Sequence, residues 1–121
     1  MGGNDNVEIS SNTLINCVKY FNVADAAIDV YGELITAKEL EENPNRKAIP
    51  NTALKIINNY IKGFGSDLEP GCGIIIKGTY GAVCENNTIV SDENTYPLAG
   101  IMIQERNRTG VKDCIINNNT V

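Results

Sequence analysis

The chain contains the stretch Asn86-Asn87-Thr88-Ile89, and three further segments repeat its pattern: Ser11-Asn12-Thr13-Leu14, Asn58-Asn59-Tyr60-Ile61 and Asn118-Asn119-Thr120-Val121. From the first copy to the last, the second residues of these segments lie 47, 28 and 32 positions apart. Repeats of this length are typical of solenoid proteins, in which each repeat buries its apolar face against its neighbours. The pattern predicts a solenoid scaffold whose function depends on a few outward side chains.

The composition favours short strands separated by sharp turns. The 121 residues allow one domain, and the apolar residues are mainly aliphatic, with two Phe and no Trp. The net charge of −5 argues against a nucleic-acid partner, because a phosphate backbone requires a basic face. No apolar run approaches the length that spans a membrane, so we expect no membrane insertion.

A strand is predicted ahead of each repeated segment, at Val7-Glu8-Ile9, Leu54-Lys55-Ile56, Ala82-Val83-Cys84 and Cys114-Ile115-Ile116. Alternate residues of a strand point the same way, so aligned strands place their apolar side chains in inward columns. The predicted columns are Val7, Leu54, Ala82 and Cys114; then Ile9, Ile56, Cys84 and Ile116; and, past the turn, Leu14, Ile61, Ile89 and Val121.

The turn between these columns carries a predicted asparagine ladder made of Asn12, Asn59, Asn87 and Asn119. Asparagine tolerates a left-handed backbone conformation at a turn, and its amide can bond to the amide of the next repeat. This ladder is the strongest structural signal in the sequence.

A second series of strands interleaves with the first, at Ala27–Val30, Gly73–Ile76 and Gly100–Ile103. In both series the spacing between the first and second strands is longer than the later spacings. When the polar residues 36–51 are subtracted, this first spacing matches the others. Thr36 and Glu39 are spaced as a capping box, which predicts a short helix over Ala37–Glu42 that stops at Asn43-Pro44. We therefore interpret 36–51 as a loop and helix insertion on a regular repeat, within a single unit of residues 1–121.

The G-I-x-I and N-N-x-[IV] patterns, repeated about every 30 residues, resemble the right-handed parallel β-helix of the pectate lyase-like superfamily. The resemblance covers essentially the whole chain. It implies an all-β fold, a solenoid of about three to four coils with one short helical insertion. An antiparallel sandwich and a leucine-rich repeat are the alternatives. The in-phase double series disfavours the first, and the missing repeat leucines disfavour the second.

The chain shows no cap at either end and no signal-peptide character at Met1-Gly2-Gly3-Asn4. We expect a piece of a longer β-helix, or a unit whose ends another chain covers. The resemblance implies an extracellular location or a virion surface.

The four cysteines form no CxxC pair, and the chain has no histidine. A zinc site normally needs such ligands, so the sequence predicts no metal site and no cofactor. Buried free thiols are expected rather than disulfides, although a disulfide remains an alternative.

The resemblance implies that polysaccharide is the partner, because enzymes of the superfamily act on polysaccharides along a groove of outward side chains and loops. The polygalacturonase-type set of paired aspartates, Gly-His-Gly and Arg-Ile-Lys is absent. The calcium-binding aspartate cluster with a catalytic arginine, typical of pectate lyases, has no clear match. Whether the chain belongs to a glycoside hydrolase or polysaccharide lyase, or to no enzyme, stays open.

One outward column of the second strand series offers an aromatic ring, a cation and an amide in Tyr31, Lys77 and Gln104. These three residues are the predicted substrate-binding groove, with stacking on Tyr31 and hydrogen bonds from the other two. The alternative is an ordinary mixed surface. In a neighbouring column Ile75 and Met102 lie side by side, so a loop or a second subunit is expected to cover them, and a homotrimer would fit such a face.

Acidic residues cluster in the two loops that lead into the second strand series. A glycosidase needs two carboxylates about 5 to 10 Å apart. The candidate catalytic residues are Asp67 and Glu69 in one loop and Asp92 and Glu93 in the next, where Tyr96 is a further candidate for substrate binding. Solvated surface charge is the alternative interpretation of these acids.

Two functions follow from the sequence. The first is a carbohydrate-interacting β-helix segment of a polysaccharide-degrading enzyme or phage tailspike. The second is a non-catalytic structural or adhesive β-helix, such as a stalk, a fibre or a surface-binding repeat. The missing catalytic motifs favour the second for this segment, and the insertion and acidic loops favour the first for the parent protein.

Overall fold

The computed structural model describes residues 3–17, 26–65, 70–92 and 97–121. These residues form twelve short strands and one helix, α1 at Ala37–Glu42. The strands are β1 Glu8–Ser10, β2 Thr13–Cys17, β3 Ala26–Val30, β4 Asn51–Thr52, β5 Lys55–Ile57, β6 Tyr60–Phe64, β7 Gly71–Lys77, β8 Thr79–Tyr80, β9 Val83–Glu85, β10 Thr88–Val90, β11 Pro97–Gln104 and β12 Ile115–Asn117.

The chain is all-β, and its strands pair in parallel. The sheets have the orders β1-β5-β9-β12, β10-β6-β2, β11-β7-β3 and β4-β8. Each pairing between these named strands is parallel. An antiparallel sandwich is therefore excluded. No helix in the described ranges is long and apolar enough to span a membrane.

The predicted inward columns are confirmed by the strand register. Ile9 pairs with Ile56, Ile56 with Cys84, and Cys84 with Ile116. Past the turn, Ile61 pairs with both Leu14 and Ile89. Side chains in the middle of each column are fully buried, and those at its first position are half-buried. At the last positions Cys114 is half-buried, whereas Ile116 and Val121 are exposed.

The second strand series follows the predicted register as well. Ile74 of β7 pairs with Ile28 of β3 on one side and with Ile101 of β11 on the other. The pairing of β11 is irregular only between Pro97 and Ala99. The main core therefore forms between the β3-β7-β11 sheet and the columns of the first series.

The glycines that open the G-I-x-I pattern allow two sheets to approach each other. A Cβ on Gly73 would lie 2.5 Å from Ile89 Cγ2 and 2.6 Å from the Gly100 carbonyl oxygen. A Cβ on Gly100 would overlap Val121 Cγ1 in the same way. Close packing therefore requires glycine at these two positions, because a side chain there would push Ile89 or Val121 away from the core.

The asparagine ladder is present as hydrogen bonds between successive repeats. The Oδ1 of Asn59 accepts from the backbone N–H and the Nδ2 of Asn12, each at 3.0 Å. Asn87 and Asn119 continue the same pattern, with bonds of 2.9 to 3.0 Å. The amide-to-amide bonding predicted from the sequence is confirmed.

The predicted left-handed backbone of the ladder residues is wrong by one position. Positive φ angles occur at the preceding residues Ser11, Asn58, Asn86 and Asn118, with values between 52° and 57°. Each left-handed residue turns the chain so that the next residue directs its amide along the stack. The ladder asparagines therefore supply the side-chain bonds, and the residues that precede them supply the left-handed backbone geometry.

The helix predicted at Ala37–Glu42 is confirmed, with Thr36 as its N-cap and Asn43 as its C-cap. The capping box is complete, because Thr36 Oγ1 accepts from the Glu39 N–H and the Glu39 carboxylate accepts from the Thr36 N–H at 2.8 Å. Beyond the helix, Ala48 donates its N–H to the Asn107 carbonyl at 3.2 Å. The segment after α1 thus packs against the turn that follows β11.

Candidate functional site

The three residues of the predicted groove lie at corresponding ends of the β3-β7-β11 sheet. Lys77 of β7 pairs in register with Gln104 of β11. Tyr31 directly follows Val30, whose partner in β7 is Ile76, the residue before Lys77. The structure therefore brings Tyr31, Lys77 and Gln104 to one side of the sheet in the predicted order.

Lys77 already has a partner within the chain. Its Nζ lies 2.9 Å from Asp29 Oδ2, and both side chains are largely buried. This ion pair is diagonal across the two neighbouring strands, because the register partner of Asp29 is Ile75, two residues before Lys77. The charge of Lys77 is therefore neutralised and its position fixed, so that it presents an oriented donor rather than a free cation.

Tyr31 is 42% exposed, and a guanidinium group covers part of its ring. The Arg106 Cζ lies 5.3 Å from the ring centroid, within the range of a cation–π contact. Gly78, with φ of +49°, lies between the two, and a Cβ on it would lie 3.5 Å from Arg106 Cβ. The left-handed φ of Gly78 favours glycine, and Arg106 lies beside this residue of the middle repeat while its guanidinium contacts Tyr31.

The sequence did not predict the contacts that Asp29 and Arg106 make. Both residues fall in outward columns next to that of Tyr31, so the period of the repeat gives no reason to pair them with the groove residues. The one available signal was Gly78, which leaves the middle repeat without a side chain at this point.

A cavity of about 340 Å³ opens beside Tyr31. Apolar side chains and polar groups both line it: Asn4, Val7, Ile9, Asp29, Val30, Tyr31, Gly32 and Asn51. The Asn51 side chain is buried and accepts a bond of 2.8 Å from the Asn4 N–H. Tyr31 and Asp29 therefore border an apolar recess as well as the groove.

Gln104 is exposed, as Tyr31 is, whereas Lys77 is half-buried. The Nε2 of Gln104 lies 2.9 Å from the Met102 sulfur, which is a weak acceptor. In the neighbouring column Ile75 is only 5% exposed and packs with Ala26, Cys72, Ala99 and Met102. The chain covers Ile75 by itself, so this residue requires no second subunit.

Most of the predicted acidic site lies outside the described residues, namely Asp67, Glu69, Glu93 and Tyr96. Asp92 is described; it is half-buried and lies against Gly63 of β6, where a Cβ would meet Asp92 Cβ at 3.4 Å. Within the described part of the chain, no group of three or more Cys, Asp or Glu residues is placed to hold a metal ion.

A cluster of charged side chains anchors the insertion at residues 36–51. Arg46 contacts the buried carboxylate of Glu33 and donates to Glu39 Oε1 at 2.6 Å. Hydrogen bonds from the backbone and hydroxyl of Thr36, and then the bond from Arg46, lower the pKa of Glu39 to about 2. The Arg108 guanidinium donates to the Pro44 carbonyl oxygen, so the insertion is held from two sides.

The four cysteines are free thiols. Cys72 and Cys84 are buried, whereas Cys17 and Cys114 are half-buried. Burial, together with the neighbouring Cys114, raises the pKa of Cys84 to about 11, against a small opposing effect of the hydrogen bond from Asn87. Cys72 and Cys84 therefore serve as small apolar groups in the core.

Comparison with protein-family models, with curated proteins and with solved structures finds no match to this chain.

Proposed function

We propose that the chain is a segment of a right-handed parallel β-helix of the pectate lyase-like type, one solenoid carrying the insertion at 36–51. Support comes from the four parallel sheets, whose strands follow in the order of the repeats. The hydrogen-bonded asparagine ladder supports the same architecture, since it requires successive turns to lie at the spacing of neighbouring strands.

We further propose that the segment binds polysaccharide at the surface around Tyr31. The observation that carries this proposal is the Tyr31 ring, which is 42% exposed and partly covered by the Arg106 guanidinium. It directly follows Val30, whose register partner Ile76 directly precedes Lys77 of the Asp29–Lys77 pair. A sugar ring offers an apolar C–H face and a rim of hydroxyl groups. The free part of the Tyr31 ring would take the apolar face, while Lys77 and Gln104 would donate to hydroxyl oxygens.

The parent protein, in this proposal, is a polysaccharide-degrading enzyme or a phage tailspike that works outside the cell or on a virion surface. The described residues support binding more directly than catalysis. Any hydrolysis would depend on carboxylates drawn from Asp67, Glu69, Asp92 and Glu93, at the separation that glycoside hydrolysis requires.

Binding can be tested with a glycan array and, for each hit, with isothermal titration of the same polysaccharide. Tyr31→Ala should abolish measurable binding. Tyr60→Ala is the matched control, because Tyr60 lies on a different sheet with a similar exposure of 40%. Equal affinity of both variants for every bound polysaccharide would refute the proposed site.

A non-catalytic structural or adhesive β-helix is the second candidate. The Asp29–Lys77 ion pair and the inner bonds of the ladder favour it, because both form within the chain. A folded wild-type chain that binds no polysaccharide would support this second function over the first.

A further inference from the structure

The two ends of the stack of strands expose different sheet edges. At one end lie β1, β2 and β3, here called the first-strand face; at the other lie β11, β12 and Thr120, the last-strand face. In a parallel sheet, alternate residues of an edge strand direct N–H and C=O away from their neighbour. Ile115 donates to the Ala82 carbonyl, so the adjacent Ile116 directs its backbone groups outward.

The asparagine ladder gives this stack a direction. Every bond in it runs from the N–H and Nδ2 of one asparagine to the Oδ1 of the next. Among the described residues, Asn12 Oδ1 receives no such donor and the Asn119 backbone N–H finds no acceptor. The first-strand face therefore offers a ladder acceptor, and the last-strand face offers the matching donor.

The apolar columns are also complementary at the two ends. Ile116 and Ile103 are 45% and 42% exposed on the last-strand face, although their column partners in the neighbouring strands are buried. On the first-strand face, the same columns end in Ile9 and Val30, which line the cavity of about 340 Å³. One end thus presents apolar side chains, and the other end presents a recess for them.

The two faces also match in charge, along a column of residues that ends in an acid on one face and a base on the other. Asp5 pairs with Thr52, Thr52 with Tyr80, and Tyr80 with Lys112. A carboxylate therefore ends this column on the first-strand side, and an ammonium group ends it on the last-strand side. Stacked in sequence, the two groups would be neighbours of opposite charge.

We propose that copies of this chain stack end to end, with the last-strand face of one copy on the first-strand face of the next. The junction would continue each column: Asn119 to Asn12, Ile116 to Ile9, Ile103 to Val30 and Lys112 to Asp5 of the next copy. A second copy is the occupant because each face finds its hydrogen-bonding, apolar and charged complement on the same chain. Strand addition of this head-to-tail kind does not close, so the product is a linear assembly.

Sedimentation velocity over a wide range of protein concentration tests the proposal. The wild-type chain should show species that grow with concentration. Ile116→Lys, which places a charge in the junction, should weaken association at least about tenfold. Ile115→Lys is the matched control, since Ile115 is the adjacent residue, 53% exposed, but lies in the outward column.

A wild-type chain that stays monomeric at every concentration would overturn the proposal and leave both faces to other segments of a longer β-helix. Equal weakening by Ile115→Lys and Ile116→Lys would also overturn it, because the columns would then not form the junction. Circular dichroism of both variants shows whether the fold is retained in each.

The head-to-tail orientation has its own test. Asp5→Lys and Lys112→Asp should each weaken association, since each variant sets like charges against one another at the junction. An equimolar mixture of the two should restore association, because each then meets its opposite charge. If the mixture stays as weak as the separate variants, the faces do not meet head to tail and the proposal fails.

Discussion

Asn59 donates both its backbone N–H and its side-chain Nδ2 to the Oδ1 of Asn87, at 3.0 and 2.9 Å, and both side chains are buried. The two residues are 28 positions apart in the sequence, yet a single amide oxygen joins them at two points. Because water cannot replace these bonds in the interior, the inner part of the ladder should contribute more to stability than its end.

The first prediction is that Asn59→Ala lowers the free energy of unfolding by about 2–4 kcal/mol. The substitution removes the Nδ2 donor to Asn87 Oδ1, removes the acceptor of the Asn12 N–H and opens a small cavity. Asn12→Ala, at the exposed end of the ladder, should cost about 1 kcal/mol or less. Urea unfolding followed by circular dichroism measures both. Equal losses at the two sites would contradict the idea that burial gives the ladder its strength.

Gly73→Ala should destabilise the fold by about 1–3 kcal/mol, because the added methyl group meets the Ile89 side chain and the Gly100 carbonyl. Gly110→Ala is the control, since a Cβ there meets nothing within 4 Å. This control should stay within about 0.5 kcal/mol of the wild type. Thermal unfolding of the two variants side by side makes the comparison.

The Glu39 carboxylate should make the stability of the chain depend on pH in the acid range. Its pKa is lowered to about 2 in the folded chain, whereas the unfolded value is about 4.3. The stabilisation is therefore complete above the unfolded pKa and is lost as pH falls toward 2.

Glu39→Gln should remove this part of the pH dependence, because the amide cannot titrate. Glu41→Gln, at an exposed position of the same helix, is the matched control for the loss of one carboxylate. The measurement is the urea midpoint at a series of pH values between about 5 and 2. A wild-type midpoint that does not fall over this range would show that the carboxylate makes no net contribution.

Cys84 should resist alkylation by iodoacetamide at pH 8 as long as the chain is folded. Its pKa of about 11 keeps it protonated at that pH, and the thiolate is the reactive form. Cys17, which is half-buried, should be modified first. Peptide mapping by mass spectrometry reports each site, and rapid labelling of Cys84 without denaturant would contradict its burial.

The sequence predicted the strand register because the apolar side chains of each column recur at matching positions. Ile56 lies between Ile9 and Cys84 as the alternation requires, and a one-residue slip would have turned every inward side chain to solvent. The helix was predictable for a local reason, since Thr36 and Glu39 satisfy each other across one turn. Both predictions rest on short-range rules.

The position of the left-handed residue was harder to predict from the sequence, because asparagine occupies both candidate positions in three of the four repeats. Only Ser11-Asn12 separates the two roles, and there the left-handed residue is a serine, which adopts positive φ less often than asparagine does. The contact of Arg106 with Tyr31 was not predictable from the sequence for another reason. It joins two repeats that are not adjacent, and the alternation within one repeat does not encode such a contact.

Each inner asparagine of the ladder ties together three successive repeats. The Nδ2 of Asn87 donates to the Ile56 carbonyl in the preceding repeat as well as to Asn119 Oδ1 in the following one. Asn59 and Asn119 make the corresponding backward bonds, to the carbonyls of Ile9 and Cys84. A repeat pulled from one end would loosen its second neighbour too, so under mechanical tension along its axis the chain would yield in steps of several repeats.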